Sequence, residues 1–364
     1  MNNRISKTDT LVLKGIGILM IIFHNFFHIM TPLMGENEFE YDKQNLLNFI
    51  SSFSANPVYS FQYIFSFFGH YGVQFFIFCC VYGLAVVYGN LERDFNVKDF
   101  IFSRVRKLYP VFTIAIVLLV LYQYLILDTQ ITLRTLREIF IRYTLIANWI
   151  PGKVFILSGP FWFYSMIIQL YLCFPLLLKI NKKSKYGLWV VMFIAYIIIL
   201  STNQYFSSLG LSLYCNFIGN LPVFIIGMIS ALNREWKYPK WIWIASAGVF
   251  LIGQFNVYVW NFSQIAFVLM TVPLLVKLYE KFSNSILSKA VIFTGGLSMY
   301  LFAVNGFLRM PWVQMSIDTT SKFNSFLYFG AFVVLVFLVA LFVRLMEGYC
   351  LNLMSKFSFL KKNL

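Results

Sequence analysis

Ten apolar runs, each about as long as a membrane is thick, succeed one another along this chain. A bilayer core of about 30 Å needs roughly 20 apolar residues in helical form. Runs that meet the requirement fall near residues 10–32, 71–89, 108–127, 160–180, 187–202, 211–232, 241–258, 262–279, 290–309 and 326–346. They predict an all-α polytopic membrane protein of about ten transmembrane helices, in a single integral-membrane domain over 1–364. Composition agrees: 60% of the residues are hydrophobic and only 12% charged, against about 25% charged in soluble domains. No cleavable signal is expected, because the first run lacks a small-residue cleavage site and leads into further spans.

The formal net charge of +15, from 29 Lys and Arg against 14 Asp and Glu, would point a soluble protein toward nucleic acid. Here the cations sit in short gaps between apolar runs, the topological use of charge, and no nucleic-acid partner is expected. Arg4 and Lys7 precede the first span. Arg93, Lys98, Arg104, Arg106 and Lys107 separate the second from the third. Lys182, Lys183 and Lys185, then Arg234, Lys237 and Lys240, then Lys281 and Lys289 follow the fourth, sixth and eighth, and Lys356, Lys361 and Lys362 close the chain. The alternate loop 33–57 is acidic, and 203–210 and 259–261 carry no charge. The pattern predicts both termini in the cytoplasm.

Two segments depart from it. Loop 128–159 should lie outside yet carries Arg134, Arg137, Arg142 and Lys153. In "LRTLREIFIRY" Arg134, Arg137, Glu138 and Arg142 share one helical face and Leu133, Leu136 and Phe140 another, the pattern of an interfacial amphipathic helix. The run 58–68, "VYSFQYIFSFF", is too short to span after Pro57 and is expected on the outer surface or dipping in before span two.

The first span holds the chemistry that a membrane helix does not need. "GILMIIFHNFFHIM" (17–30) contains two of the chain's three histidines, His24 and His28. At i and i+4 they share a face. His24 lies ten residues beyond Lys14, roughly 15 Å along the axis, in the outer half of the membrane under the predicted orientation. Ionisable groups at that depth face the bundle interior or a wet cavity and mark function; the alternative is a neutral histidine hydrogen-bonded between helices. With no Cys or carboxylate in the same span, two histidines fall short of a usual metal ligand set, and no metal is expected. The five cysteines lie in or beside apolar runs without a CxxC, so neither a metal site nor a disulfide framework is expected.

Five stretches then stand in order: "LKGIGILMIIFHNFFH" (13–28), "GHYGVQFFIFCCVYGL" (69–84), "FIFSRVRKLYPVF" (100–112), "GPFWFYSMIIQLYLCFPLL" (159–177) and "GGLSMYLFAVNGFLR" (295–309). Together they resemble the membrane-bound acyltransferase-3 family, bacterial enzymes that O-acylate sugars of surface polysaccharides. The chain keeps the family's basic residue as Lys14, Gly72-Val73, Arg104 with Lys107 in place of a second arginine, Pro110, Trp162-Phe163, Tyr171 and Pro175. It departs at Asn25, where the family has its histidine, now one residue earlier at His24; at Cys80-Val81, where Ser-Gly is usual; and at Asn305, where a late histidine is common. One residue turns a side chain about 100° around a helix.

The resemblance implies transfer of an acyl group, acetyl above all, from acyl-CoA to a hydroxyl of an extracytoplasmic or lipid-linked glycan in the bacterial cytoplasmic membrane. Acyl-CoA is then a co-substrate rather than a tightly bound cofactor, and partners belong to envelope polysaccharide synthesis. A sugar hydroxyl needs a base or an acyl-accepting group; His24, with His28 tuning it, can serve as either. Asn25, Asn305 and Trp162 are candidate donors to the developing oxyanion if they converge. Arg104, Arg106 and Lys107, joined by Lys14, read as positive-inside charge on their own and as a grip on CoA phosphates under the resemblance. In the loop "GENEFEYD" (35–42), Glu36 and Glu38 are expected either to be solvated or to contact sugar hydroxyls or orient His28. Two rivals stand beside this reading: a transporter or lipid-linked sugar flippase, against which no internal repeat is found, and an acyltransferase-like protein without activity.

Overall fold

The computed structural model describes residues 5–30, 35–89, 96–233, 239–319 and 322–362. Arg4, Arg93, Arg234 and Lys237 lie outside the described residues, as do positions 31–34, where the first expected span ends and the acidic loop begins. The side chains of Lys356, Lys361 and Lys362 are likewise not described.

The chain is all-α. In order the helices are α1 (Lys7–Phe27), α2 (Lys43–Ala55), α3 (Ser60–Phe68), α4 (Gly72–Tyr88), α5 (Val97–Leu125), α6 (Leu133–Tyr143), α7 (Trp162–Lys183), α8 (Gly187–Ser208), α9 (Phe217–Leu232), α10 (Lys240–Phe255), α11 (Val257–Trp260), α12 (Ser263–Phe282), α13 (Ile286–Leu308), α14 (Met310–Asp318) and α15 (Lys322–Lys362). Each of the ten expected spans falls mainly on one of them. Among the described residues, seven helical stretches are long and apolar enough to cross a membrane: Lys7–Phe27, Pro57–Tyr88, Val97–Leu125, Gly159–Lys183, Gly187–Ser208, Ile286–Leu308 and Phe323–Leu353. Phe217–Leu232 and Lys240–Phe255 are apolar but shorter.

The run 58–68 is not a separate surface piece. It forms α3, which passes through a single 3-10 turn at Gly69–Tyr71 into α4, so that Pro57–Tyr88 makes one helical stretch. Pro57 starts the stretch rather than breaking it, and the junction falls at Gly69 and Gly72, residues that read as punctuation in a sequence. The 3-10 turn keeps the backbone bonded across the junction, Gly72 N–H donating to the Gly69 and His70 carbonyls, and Phe61 and Phe65 pack on Phe23 of α1.

At its start α1 is fixed by a capping box between Ser6 and Asp9, which satisfies end donors that would otherwise be orphaned. It packs most extensively on α13 and α4. Both contacts are backbone to backbone: a Cβ added at Gly295 would overlap the Leu11 carbonyl oxygen, and one added at Gly72 would overlap that of Gly17. Small residues permit such approach where lipid offers no hydrophobic drive for association. In contrast α8 is buried only at Gly187, Leu188, Ala195 and Ile199, leaving Val190, Phe193, Ile194 and Ile197 exposed, a face suited to lipid tails.

Helix α6 forms where the amphipathic pattern predicts, capped by Thr132. Leu133, Leu136 and Phe140 are exposed, and Arg134 pairs with Glu138 at 3.1 Å. Arg142 departs from the expected polar face. It is fully buried, and its Nη2 donates to the carbonyls of Lys153, Val154 and Ile156 at 3.3, 2.8 and 2.9 Å. The loop after α6 folds back over the helix, and buried loop carbonyls need donors.

Candidate active site

All three histidines of the chain meet at one cavity. It has a volume of ≈ 270 Å³, and among the residues lining it are His24, Asn25 and His28 of the first span, Glu36, Glu38 and Phe39 of the acidic loop, His70, Trp162, Phe302 and Arg309.

His24 stands in the last turn of α1 and is 3% exposed. Its Nδ1–H donates to the Ser66 carbonyl at 3.0 Å, with the Phe65 carbonyl at 3.3 Å. A carbonyl can only accept, so Nδ1 carries a proton and Nε2 is the nitrogen turned toward the carboxylates. Nε2 lies 2.9 Å from Glu36 Oε2 and 3.6 Å from Glu38 Oε2. His28, one turn on, donates from Nδ1 to the His24 carbonyl at 2.9 Å, and the two rings stack with centroids 4.5 Å apart. His70 meets His24 edge-on at 5.5 Å between centroids, with Nδ1 3.6 Å from Glu36 Oε2.

The carboxylates reach this depth because the loop 35–42 turns inward rather than into solvent. Gly35 adopts φ +108°, a conformation side chains disfavour, and so redirects the chain. Trp260 Nε1 donates to the Asn37 carbonyl at 3.1 Å, Ser212 Oγ to the Phe39 carbonyl at 2.9 Å, and Asn45 Nδ2 to the Glu36 carbonyl at 2.8 Å. Phe39 wedges against Trp162 and Phe155. These anchors come from α2, the segment before α9 and α11, and two of them, Ser212 and Trp260, are tertiary partners far away in sequence.

Burial works against the charged form of Glu36, yet the His24 ring, aided by His28 and His70, overcomes it and holds this carboxyl below its usual range. Glu38 goes the other way: burial first, and the Glu36 charge second, push it up to about 7. Two carboxyl groups beside one imidazole thus differ in their hold on a proton, as acid and base partners do.

Asn25 lines the cavity, and its Nδ2 donates to Asn305 Oδ1 at 2.7 Å. Asn305 stands behind it: its own Nδ2 donates to the Leu301 and Phe302 carbonyls. The two asparagines converge, as their depths predict, but Asn305 spends its donors inside α13. Arg309 is the cationic donor on the wall; Nη1 bonds the Asn25 carbonyl at 3.1 Å. Sequence reading missed both Arg309 and His70. The first resembles any interfacial cation after a span, and the second stands on α3–α4, whose link to α1 no local pattern announces.

The cations expected to hold a cofactor gather toward the other end of α1. Lys14, Lys107 and Arg104 all lie close enough to the Cys80 thiol to act on it electrostatically, and Cys80 Sγ is 2.8 Å from the Tyr171 hydroxyl. Arg104 is half-buried, Lys107 exposed, and Arg106 exposed; two residues along a helix is more than half a turn, so Arg106 stands on another face of α5 from Arg104. The expectation of no metal rested on the lack of a carboxylate in the span, and Glu36 now supplies one: donor atoms of His24, His28 and Glu36 lie within 4.8 Å of one another.

A family model described as an acyltransferase domain matches residues 12–345. No curated protein and no solved structure matches the chain. Because that family model spans nearly the whole sequence, from just before Lys14 to beyond Arg309, the chain belongs to the acyltransferase-3 family and is a membrane acyltransferase.

Proposed function

We propose that the protein moves an acyl group, acetyl in the simplest case, from acyl-CoA bound at the cytoplasmic face to a hydroxyl of a glycan or lipid-linked sugar held in the cavity on the outer side of a bacterial cytoplasmic membrane. The observation that carries this reading is the contact of the buried His24, through Nε2, with Glu36 at 2.9 Å on the wall of the cavity. It supplies an oriented base where a hydroxyl can enter. Ten crossings with both termini inside agree with the distribution of the cations and leave the acidic loop outside.

His24 passes its Nε2 proton to Glu38, 3.6 Å away and held near neutrality. The freed nitrogen takes the proton of the acceptor hydroxyl as its oxygen attacks the thioester carbonyl. The C–S bond breaks, the CoA thiolate leaves, and the proton gathered by His24 ends on that sulfur. Arg309 faces the oxyanion that forms between these steps. Lys14, Arg104 and Lys107 grip the CoA phosphates. Lys14 lies ten residues before His24, roughly 15 Å along the helix, a span that an extended pantetheine arm bridges.

His24→Ala tests the reading. Ester-linked acyl groups on the surface glycan, compared between cells carrying the wild type and the variant, are expected to fall at least about 100-fold, the lower range for loss of a general base. Acyl-CoA binding to the purified variant should persist. Undiminished acylation by the variant removes His24 from the chemistry.

A further inference from the structure

The arrangement around His24 holds more donor capacity than one proton transfer uses. Both His24 and His28 give their Nδ1 proton to a backbone carbonyl. That fixes the ring and leaves Nε2 as the outward nitrogen, the support that metal-ligating histidines commonly have. His70 adds a third imidazole on the same wall: it is 6% exposed, and its Nδ1 makes no well-formed hydrogen bond. Glu36 Oε2 lies 3.6 Å from that nitrogen and 2.9 Å from His24 Nε2, between the two rings.

Mixed imidazole and carboxylate donors suit zinc-class ions rather than Mg²⁺ or Ca²⁺, which take oxygen ligands. A tetrahedral ion with bonds near 2.0–2.2 Å sets ligand atoms roughly 3.3 Å apart. Glu36 Oε2 lies 2.9 Å from His24 Nε2 and the three donor atoms all fall within 4.8 Å of one another, a spread that brackets that separation. Glu36 supplies an anionic ligand, and Glu38 lies 3.6 Å from the same His24 nitrogen. The facing cation, Arg309, is tied to the Asn25 carbonyl.

We propose that this cavity binds one divalent transition-metal ion through His24, His28 and Glu36, and that ion binding and base catalysis at His24 exclude one another. The exclusion follows because a metal on Nε2 occupies the lone pair that takes the hydroxyl proton. Binding stands independently of the proposed reaction; the exclusion rests on it.

The test uses the purified full chain in detergent, stripped by a chelator. Zn²⁺ titrated by calorimetry should bind at one ion per chain, and Co²⁺ should give the visible absorption of a low-coordinate site. His28→Ala and Glu36→Gln should each weaken Zn²⁺ binding about tenfold or more, the scale seen even for supporting groups around a metal. In the wild-type protein, where folding is not in question, Zn²⁺ should shield His24 and His28 from diethyl pyrocarbonate, read by mass spectrometry. Zn²⁺ should also inhibit acyl transfer, and chelation should restore it. No saturable Zn²⁺ binding, or binding without shielding of either histidine, overturns the site. Binding with undiminished transfer overturns the exclusion. A protein that binds Zn²⁺ but transfers no acyl group defeats the proposed function and leaves the site standing.

Discussion

At its C-terminal end α1 presents His24 to a cavity lined in part by the loop 35–42, whereas ten residues earlier the same helix presents Lys14 toward a group of half-exposed and exposed cations. At the loop end His24 and His28 each donate from Nδ1 to a backbone carbonyl, their two rings stack, and the carboxylates hang from a backbone anchored by Trp260, Ser212 and Asn45. At the basic end Lys107 projects from the surface and Arg104 leans over the Phe100 ring at 5.5 Å. Chemistry demands fixed geometry. Holding a flexible polyanion needs charge more than geometry, and long cationic side chains provide it.

The comparison can be broken most forcefully at the basic end. Charge-assisted hydrogen bonds are worth about 1.5–3 kcal/mol each. Removing both cations with Arg104→Gln and Lys107→Gln is therefore expected to raise KM for acyl-CoA at least about tenfold, with a smaller effect on kcat. Arg106→Gln should change KM less than about twofold, since Arg106 stands roughly 200° around the helix from Arg104. Steady-state kinetics in proteoliposomes checks this, and equal losses from Arg104, Lys107 and Arg106 would reduce the group to topological charge.

A subtler break lies at the loop end. Glu38 is pushed up to about 7 and must be ionised to receive the His24 proton, so transfer should rise as pH climbs through neutrality and level off above it. Glu38→Gln should remove that inflection and lower the plateau. A profile from mildly acid to mildly alkaline pH decides it; an unchanged inflection assigns the titration to another group. The smallest effect is expected from Trp260→Phe, which deletes one donor to the Asn37 carbonyl, worth about 1 kcal/mol. The KM for the acceptor should rise a few-fold while that for acyl-CoA stays fixed, because the anchor serves one end only.

The two ends also differ in how far the sequence reveals them. His24, His28, Asn25 and Lys14 stand on one helix, where spacing converts directly into depth and face, and the pairing of Asn25 with Asn305 follows from matched depths on α1 and α13. Glu36 and Glu38 were legible only as acids beside the histidine end. That they turn inward, onto His24 rather than His28, is decided by Gly35, Ser212 and Trp260, partners that no local pattern connects. His70 stayed hidden because it sits in the 3-10 junction between α3 and α4, whose packing on α1 no local pattern announces. Arg142 read as an exposed cation because helical periodicity cannot foresee a loop returning over it. The helices themselves were legible for a simpler reason: hydropathy reports the solvent each one faces, whereas packing between helices is written in small residues whose partners are remote.

The glycine contacts of α1 carry a mechanical consequence. Where Gly295 meets the Leu11 carbonyl and Gly72 meets that of Gly17, no cushion of side chains separates the backbones. Carriers that expose a central site alternately to two sides do so by rocking one half of the molecule over the other, which needs surfaces able to slip. A helix gripped on two flanks behaves instead like a rivet. On the proposed reading, Lys14 and His24 then keep one separation through the whole catalytic cycle, roughly 15 Å along the helix.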